Sequence, residues 1–166
     1  MRIFKIAIVL VFSLLLLTGC HSKLEDYGYK STKNEFSWGW ISVKLKGNEK
    51  NYGRTAIRST PYRLNILFQS DKFLEGVIHI SELKLVNNKN KMVVFELGNI
   101  IDKSFQKAEH VNTYLVYFSF KDIDLEYEEM LLQLKFTLKQ GNKSTEYKTE
   151  ILFEKNYRKF RRIIGA

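Results

Sequence analysis

One cysteine, Cys20, serves the whole chain of 166 residues, so no disulfide can form within a molecule. Histidine is nearly as scarce. His21, His79 and His110 are scattered, and neither H-E-x-x-H nor C-x-x-C occurs, which removes the usual spacings of a zinc site. There is no G-x-S-x-G elbow, no phosphate-cradling glycine loop and no dinucleotide fingerprint, so the common signatures of hydrolases and nucleotide enzymes are missing. No internal repeat or low-complexity run appears. The uncharged apolar stretch from Ile6 to Leu17 is broken only by Ser13, and it falls short of the roughly 20 residues a helix needs to span a bilayer. Acids are absent from the first 19 residues and from position 155 onward.

What precedes Cys20 has an order of its own. Arg2 and Lys5 stand at the start, the apolar stretch follows, and small residues close it, the layout of a secretory signal. Leu17-Thr18-Gly19-Cys20 resembles the lipobox of bacterial lipoproteins. The resemblance covers residues 1–20 and implies cleavage before Cys20 by a dedicated signal peptidase that recognises Leu17, Thr18 and Gly19. It also implies diacylglycerol on the thiol, acylation of the new amino terminus and a lipid-anchored life in the cell envelope. Two or more acyl chains hold a protein durably, at about 0.8 kcal/mol per buried CH₂. A catalytic Cys20 would need a base and an electropositive pocket, and His21 is a neighbour in chain only. His21 also stands where inner-membrane retention in enterobacteria favours Asp, so the expected address is the outer membrane facing the periplasm, if the host is Gram-negative.

Loss of Arg2 and Lys5 lowers the formal charge from +9 to +7. Lys155, Arg158, Lys159, Arg161 and Arg162 account for most of the remainder, since residues 20–154 hold 20 Lys and Arg against 18 Asp and Glu. The basic character belongs to the end of the chain. For a secreted, tethered protein this points to anionic lipid or an acidic protein face, and away from nucleic acid.

Residues 21–34 are polar and lack an apolar period, and read as a flexible tether that stretches to at most ~45–50 Å. Beyond them the period is two. Tyr62, Leu64, Ile66 and Phe68 alternate with polar partners, as do Leu132, Leu134, Phe136 and Leu138, then Tyr147, Thr149, Ile151 and Phe153; Tyr114, Val116, Phe118 and Phe120 form another row. Such alternation marks half-buried antiparallel strands, with hairpin connections at 87–91 and 140–144. Seven segments are expected, at 36–46, 62–69, 75–86, 91–97, 113–120, 130–139 and 145–154. The expectation is an all-β, immunoglobulin-like antiparallel sandwich of two sheets and about seven strands. Residues 1–19 form the signal, 20–34 the lipidated tether, 35–154 the sandwich and 155–166 a basic tail.

Four stretches invite a functional reading. In F-S-W-G-W-I-S, Phe36, Trp38 and Trp40 share one parity while Ile41, Val43 and Leu45 take the other. Either a bulge near Gly39 swaps faces, or one face meets a partner through Trp38 and Trp40; core packing is the plainer account. In the tail, Tyr157, Phe160 and Ile164 lie at helical spacing among the basic residues, the pattern of a short helix on an anionic surface or of a solvated end packed on the body. Asp122, Asp124, Glu126 and Glu128 form an acidic row able to neutralise that end. The row lacks the glycine and spacing of a calcium loop, so no metal and no cofactor is expected. Finally, Tyr127 stands where sandwiches place a corner tyrosine whose hydroxyl bonds back to the chain, and His79 reads as a hydrogen-bonded structural histidine.

Together these features suggest a non-catalytic, membrane-anchored module that binds an envelope or secreted protein, such as an immunity or inhibitor lipoprotein against a toxin or hydrolase. An accessory subunit of a secretion or surface-polymer export machine, and a lipid- or glycolipid-binding lipoprotein, are the alternatives.

Overall fold

A computed structural model of the chain describes residues 21–98, 102–109 and 112–163. The described residues contain no helix and eleven strands. These are β1 (His21–Ser31), β2 (Asn34–Phe36), β3 (Gly39–Tyr52), β4 (Thr55–Ser70), β5 (Val77–Asn87), β6 (Val93–Gly98), β7 (Lys103–Ser104), β8 (Gln106–Lys107), β9 (Tyr114–Ile123), β10 (Met130–Gln140) and β11 (Lys143–Ile163). The all-β expectation stands, and each of the seven expected segments falls on a strand, with 36–46 covering the end of β2 as well as β3. The count of about seven is corrected: β1, β2, β7 and β8 are additional.

The strands form one hydrogen-bonded network in the order β2-β3-β4-β1-β11-β10-β5-β6, with β9 also on β4, rather than two separate sheets. The pairing of β1 with β4 is parallel. This network curls over so that its halves face each other. Phe68 of β4 and Phe136 of β10 have ring centroids 5.0 Å apart, although β1 and β11 lie between their strands in the hydrogen-bonded order. The alternating residues named above fill the space between: Leu64, Ile66, Phe68, Phe118, Leu132, Leu134, Phe136, Ile151 and Phe153 are all buried. Each such side chain contributes roughly 1.5–3 kcal/mol by leaving water.

Two long strands change partner along their length. One edge of β4 pairs β1 over Thr55–Arg58 and β9 over Tyr62–Ser70. β11 pairs β10 from Lys143 to Phe153 and β1 from Phe153 to Ile163. Residues 21–31 are therefore a paired strand, and the flexible tether expected over 21–34 is corrected. The helical spacing read in the tail is corrected too, because the backbone of 155–163 is strand. β1 and the end of β11 hold each other: neither has a continuous apolar face, but their ladder pairs His21 through Ser31 with Ile163 back to Phe153.

The parity conflict at 36–42 resolves without a bulge. The chain reverses between Phe36 and Gly39, which face each other across the β2–β3 hairpin, and the reversal resets which face each residue takes. Gly39 is required there because a Cβ would lie 2.0 Å from the Gln69 carbonyl oxygen. The expected turns at 87–91 and 140–144 are present. Asn87 Oδ1 accepts from the backbone of Lys89 and Asn90 at 2.9 and 3.2 Å, and Gly141 takes a positive φ of 54° between Gln140 and Lys143.

Candidate binding site

Among the described residues β6 pairs β5 alone, which leaves the sheet open on that side. Facing β6 is the connection from β9 to β10, and a groove of about 640 Å³ separates them. Met130 and Leu125 are buried at its base, with Tyr62. Met92 and Val94 form one wall, Glu126 and Tyr127 the other, and Ser59, Thr60, Asn90 and Asp124 the polar rim. Met92 is 60 % exposed and Val93 beside it is exposed as well.

The groove backs onto a cluster of tyrosines from four strands or connections. Tyr27 meets Tyr127 edge-on at 5.2 Å and Tyr157 at 5.0 Å; Tyr29 meets Tyr62 at 5.5 Å and Tyr127 at 5.4 Å. The hydroxyls of Tyr62 and Tyr127 serve the backbone. Tyr62 donates to the Tyr27 carbonyl at 2.9 Å and Tyr127 to the Gly28 carbonyl at 3.2 Å. Tyr127 thus bonds back to the chain, but to a strand 99 positions away. Burial, then neighbouring phenols, push the Tyr29 and Tyr62 hydroxyls well above the ordinary phenol range, and burial raises Tyr127 as well. Phenols held this way are poor bases and poor nucleophiles near neutrality. Asp124 is engaged by the Thr60 hydroxyl. What remains is a wet-rimmed apolar slot able to take a side chain or a short extended segment.

A second feature lies where β3, β4, β1 and β11 run side by side. Glu49, Arg58, Asp26 and Arg158 occupy successive strands in one register row, and they alternate in sign. The contacts are 2.8 Å from Arg58 to Glu49, 3.4 Å from Arg58 to Asp26 and 3.2 Å from Arg158 to Asp26. Asp26 is only 3 % exposed, so its burial depends on paired charge, chiefly that of Arg58, whose side chain is the less exposed of the two. Beside it a cleft of about 410 Å³ is lined by Lys33, Lys44 and Lys46 as well as the two arginines.

The residues singled out from the sequence do not converge. Trp38 packs inward, stacked on Phe36 at 5.4 Å and edge-on to Phe136 at 6.2 Å. Trp40 lies on the outer surface, with its indole N–H on Gln69 at 3.0 Å and Lys33 4.1 Å above its ring. The two tryptophans are therefore not one platform. Lys155 meets Glu128 at 3.1 Å, as the acidic-row reading anticipated, but Arg158 turns to Asp26 and Lys159 to Glu25 at 2.7 Å. Strand alternation puts Lys155, Lys159 and Arg161 on one face and Arg158 on the other. Arg161 stands opposite Lys23 and Arg162 opposite Ser22; the side chain of Arg162 lies outside the described residues, as do Leu17, Thr18, Gly19 and Cys20. His79 bonds Asp102 through Nδ1. Met92, Val94, Asp26 and Arg58 carried no motif. Met92 directly follows a turn that was legible, whereas Asp26 finds its partners 32 and 132 positions away.

No family model, curated protein or solved structure matches the chain. The functional reading rests on the geometry and on the motif at Cys20.

Proposed function

We propose that the chain is a lipid-anchored lipoprotein of the cell envelope that acts as a non-catalytic protein-binding module, its facing halves serving as the layers of a sandwich. The observation that carries the binding reading is the groove between β6 and the β9–β10 connection, where Met92 and Val94 line an apolar slot beside an unpaired strand edge. A partner strand added along β6 would gain backbone hydrogen bonds and seat alternate side chains in the slot. The reading moves the partner site away from Trp38, which packs inward, and Trp40, which Lys33 covers. The Tyr62 and Tyr127 hydroxyls at the groove are spent on backbone carbonyls, which favours binding over acid–base chemistry. Immunity or inhibition of a toxin or hydrolase is the form of this role we favour. The accessory-subunit role in an export machine uses the same surface with a resident partner. A lipid or glycolipid carrier has less support, because Phe68, Phe118 and Phe136 occupy the space between the halves.

Two experiments test the parts separately. Affinity capture from envelope extract is to be run with the native chain, with Met92→Arg/Val94→Arg and with Trp40→Ala. A partner that disappears with the groove variant and persists with Trp40→Ala supports the site; a partner indifferent to the groove charges overturns it. For the anchor, metabolic labelling with a fatty acid is expected to vanish in Cys20→Ser, and persistent label refutes it.

A further inference from the structure

The β1 register places the last described residues of β11 beside those that directly follow the lipobox-like motif in the sequence. His21 pairs Ile163, Ser22 pairs Arg162 and Lys23 pairs Arg161, and His21 directly follows Cys20. On the opposite edge of β1 the parallel pairing sets Lys23 against Thr55, and the Lys23 amide donates to the Arg54 carbonyl at 2.8 Å. The β3–β4 hairpin tip, Lys50 to Arg54, therefore reaches the same end of the sheet. With neighbouring strands about 4.8 Å apart, the β3, β4, β1 and β11 ends span roughly 15 Å.

The composition of this end is one-sided. Residues 21–26, 48–58 and 157–163 hold eight Lys and Arg against Glu25, Asp26 and Glu49, and those three acids are paired with Lys159, Arg58 and Arg158. Lys23, Lys50, Arg54 and Arg161 are exposed. So are two aromatics, Tyr52 at 60 % and Phe160 at 43 %, the residue type that settles at the level of lipid headgroups. No flexible spacer separates residue 20 from this surface, since β1 begins at His21.

We propose that this end is a docking surface for an anionic bilayer, with Lys23, Lys50, Arg54 and Arg161 contacting headgroup phosphates and Tyr52 and Phe160 entering the headgroup layer. The inference rests on the anchor reading for its orientation, since acyl chains on Cys20 would enter the membrane where the basic end meets it. Lipid plus a basic patch is the two-signal arrangement that makes attachment durable.

The test measures partition of the purified full chain into vesicles of phosphatidylcholine alone and of phosphatidylcholine with about a third phosphatidylglycerol. The anionic-to-neutral ratio cancels whatever hydrophobic anchor the chain carries. Each basic residue near such a surface is worth roughly a fivefold gain in partition, so Lys23→Gln/Lys50→Gln/Arg54→Gln/Arg161→Gln should lower the ratio at least about tenfold. Lys50→Gln/Arg54→Gln, confined to the hairpin tip, should give an intermediate drop. A control with Lys72, Lys107, Lys143 and Lys148 changed to Gln removes as much charge away from this end and should move the ratio less than about twofold. About 0.5 M salt should collapse the ratio of the native chain. A four-site variant that keeps its anionic preference, or a control that loses as much, overturns the proposal and leaves an acidic protein as the partner of this end. Fatty-acid labelling of the same proteins reads the anchor independently. Absent label with a preserved ratio removes the anchor alone; label with no ratio removes the docking surface alone.

Discussion

Neutralising Asp26 should expose how the four-strand charge row is held. Asp26 is 3 % exposed and contacts Arg58 and Arg158, while Arg58 also reaches Glu49. Breaking a buried pair from one side costs about 3–5 kcal/mol, because the remaining charge has lost its partner and stays out of water. Two features reduce that figure. Arg158 has a side chain 60 % exposed, so water takes over its solvation and its pair is worth only about 0–1 kcal/mol. Arg58 keeps Glu49 at 2.8 Å. Asp26→Asn is therefore expected to cost about 2–3 kcal/mol, Arg58→Gln a similar amount, and Arg158→Gln below about 1 kcal/mol. At a urea slope near 2 kcal/mol/M, the first two should lower the unfolding midpoint by roughly 1–1.5 M and the third by less than about 0.5 M. Fluorescence of Trp38 and Trp40 reports the transition. In Asp26→Asn/Arg58→Gln the costs should fall short of additive, since both substitutions remove one shared contact. An Arg158→Gln penalty equal to that of Arg58→Gln would show that burial does not set the energy. A neutral Asp26→Asn would show that the row is not held by its charges.

Three further outcomes follow from particular contacts. Gly39→Ala drives a Cβ to 2.0 Å from the Gln69 carbonyl oxygen; loss of more than about 2 kcal/mol is expected in thermal unfolding, and an unchanged midpoint would mean that β3 and β4 separate there freely. Trp38→Ala should cost about 3–5 kcal/mol as a core truncation, and Trp40→Ala under about 1.5 kcal/mol; the reverse order would return Trp38 to the surface. Alkaline stability is set by the tyrosine cluster. Tyr62 keeps in the folded chain a proton that the unfolded chain loses near pH 10. Its contribution is thus intact below about pH 10 and declines above it, by up to about 1.4 kcal/mol per pH unit. Tyr62→Phe should lose about 1 kcal/mol at neutral pH with the bond to the Tyr27 carbonyl, and its urea midpoint should fall less steeply between pH 10 and 11.5. An identical alkaline slope would place the titration elsewhere.

Alternation in the sequence reports one physical situation well, a strand with one dry face and one wet face. β4, β9, β10 and the first half of β11 are of this kind: Leu132, Leu134, Phe136 and Leu138 are buried in turn, and their positions were legible from the residues alone. β5 was legible too, although its end is buried at consecutive positions, Leu85 to Asn87. The groove was only half legible. The 87–91 turn and the strand after it were expected, but the openness of β6 depends on which strands fail to pair with it, and no local pattern carries that.

β1 and the end of β11 show why the remainder was hidden. The inward positions of β1 are Ser22, Leu24, Asp26 and Gly28, a series with one apolar member, so no period could emerge. Beyond Phe153, β11 has no buried residue through Arg161, and the spacing of Tyr157, Phe160 and Ile164 imitates a helix by coincidence. What makes both segments strands is reciprocal. β9 covers only part of one edge of β4, and β10 lies on the far edge of β11, so each offers β1 an edge that no other strand fills there, and unpaired edges beside a core are costly. β1 lies between them and satisfies both, with Asp26 binding Arg58 of one neighbour and Arg158 of the other. Its strand character comes from two gaps in the backbone ladder and a charge match, none of them local to residues 21–31. The same ladder brings the last basic residues against Ser22 and Lys23, so that a tail read as a short helix or a solvated end becomes one wall of a surface at the start of β1.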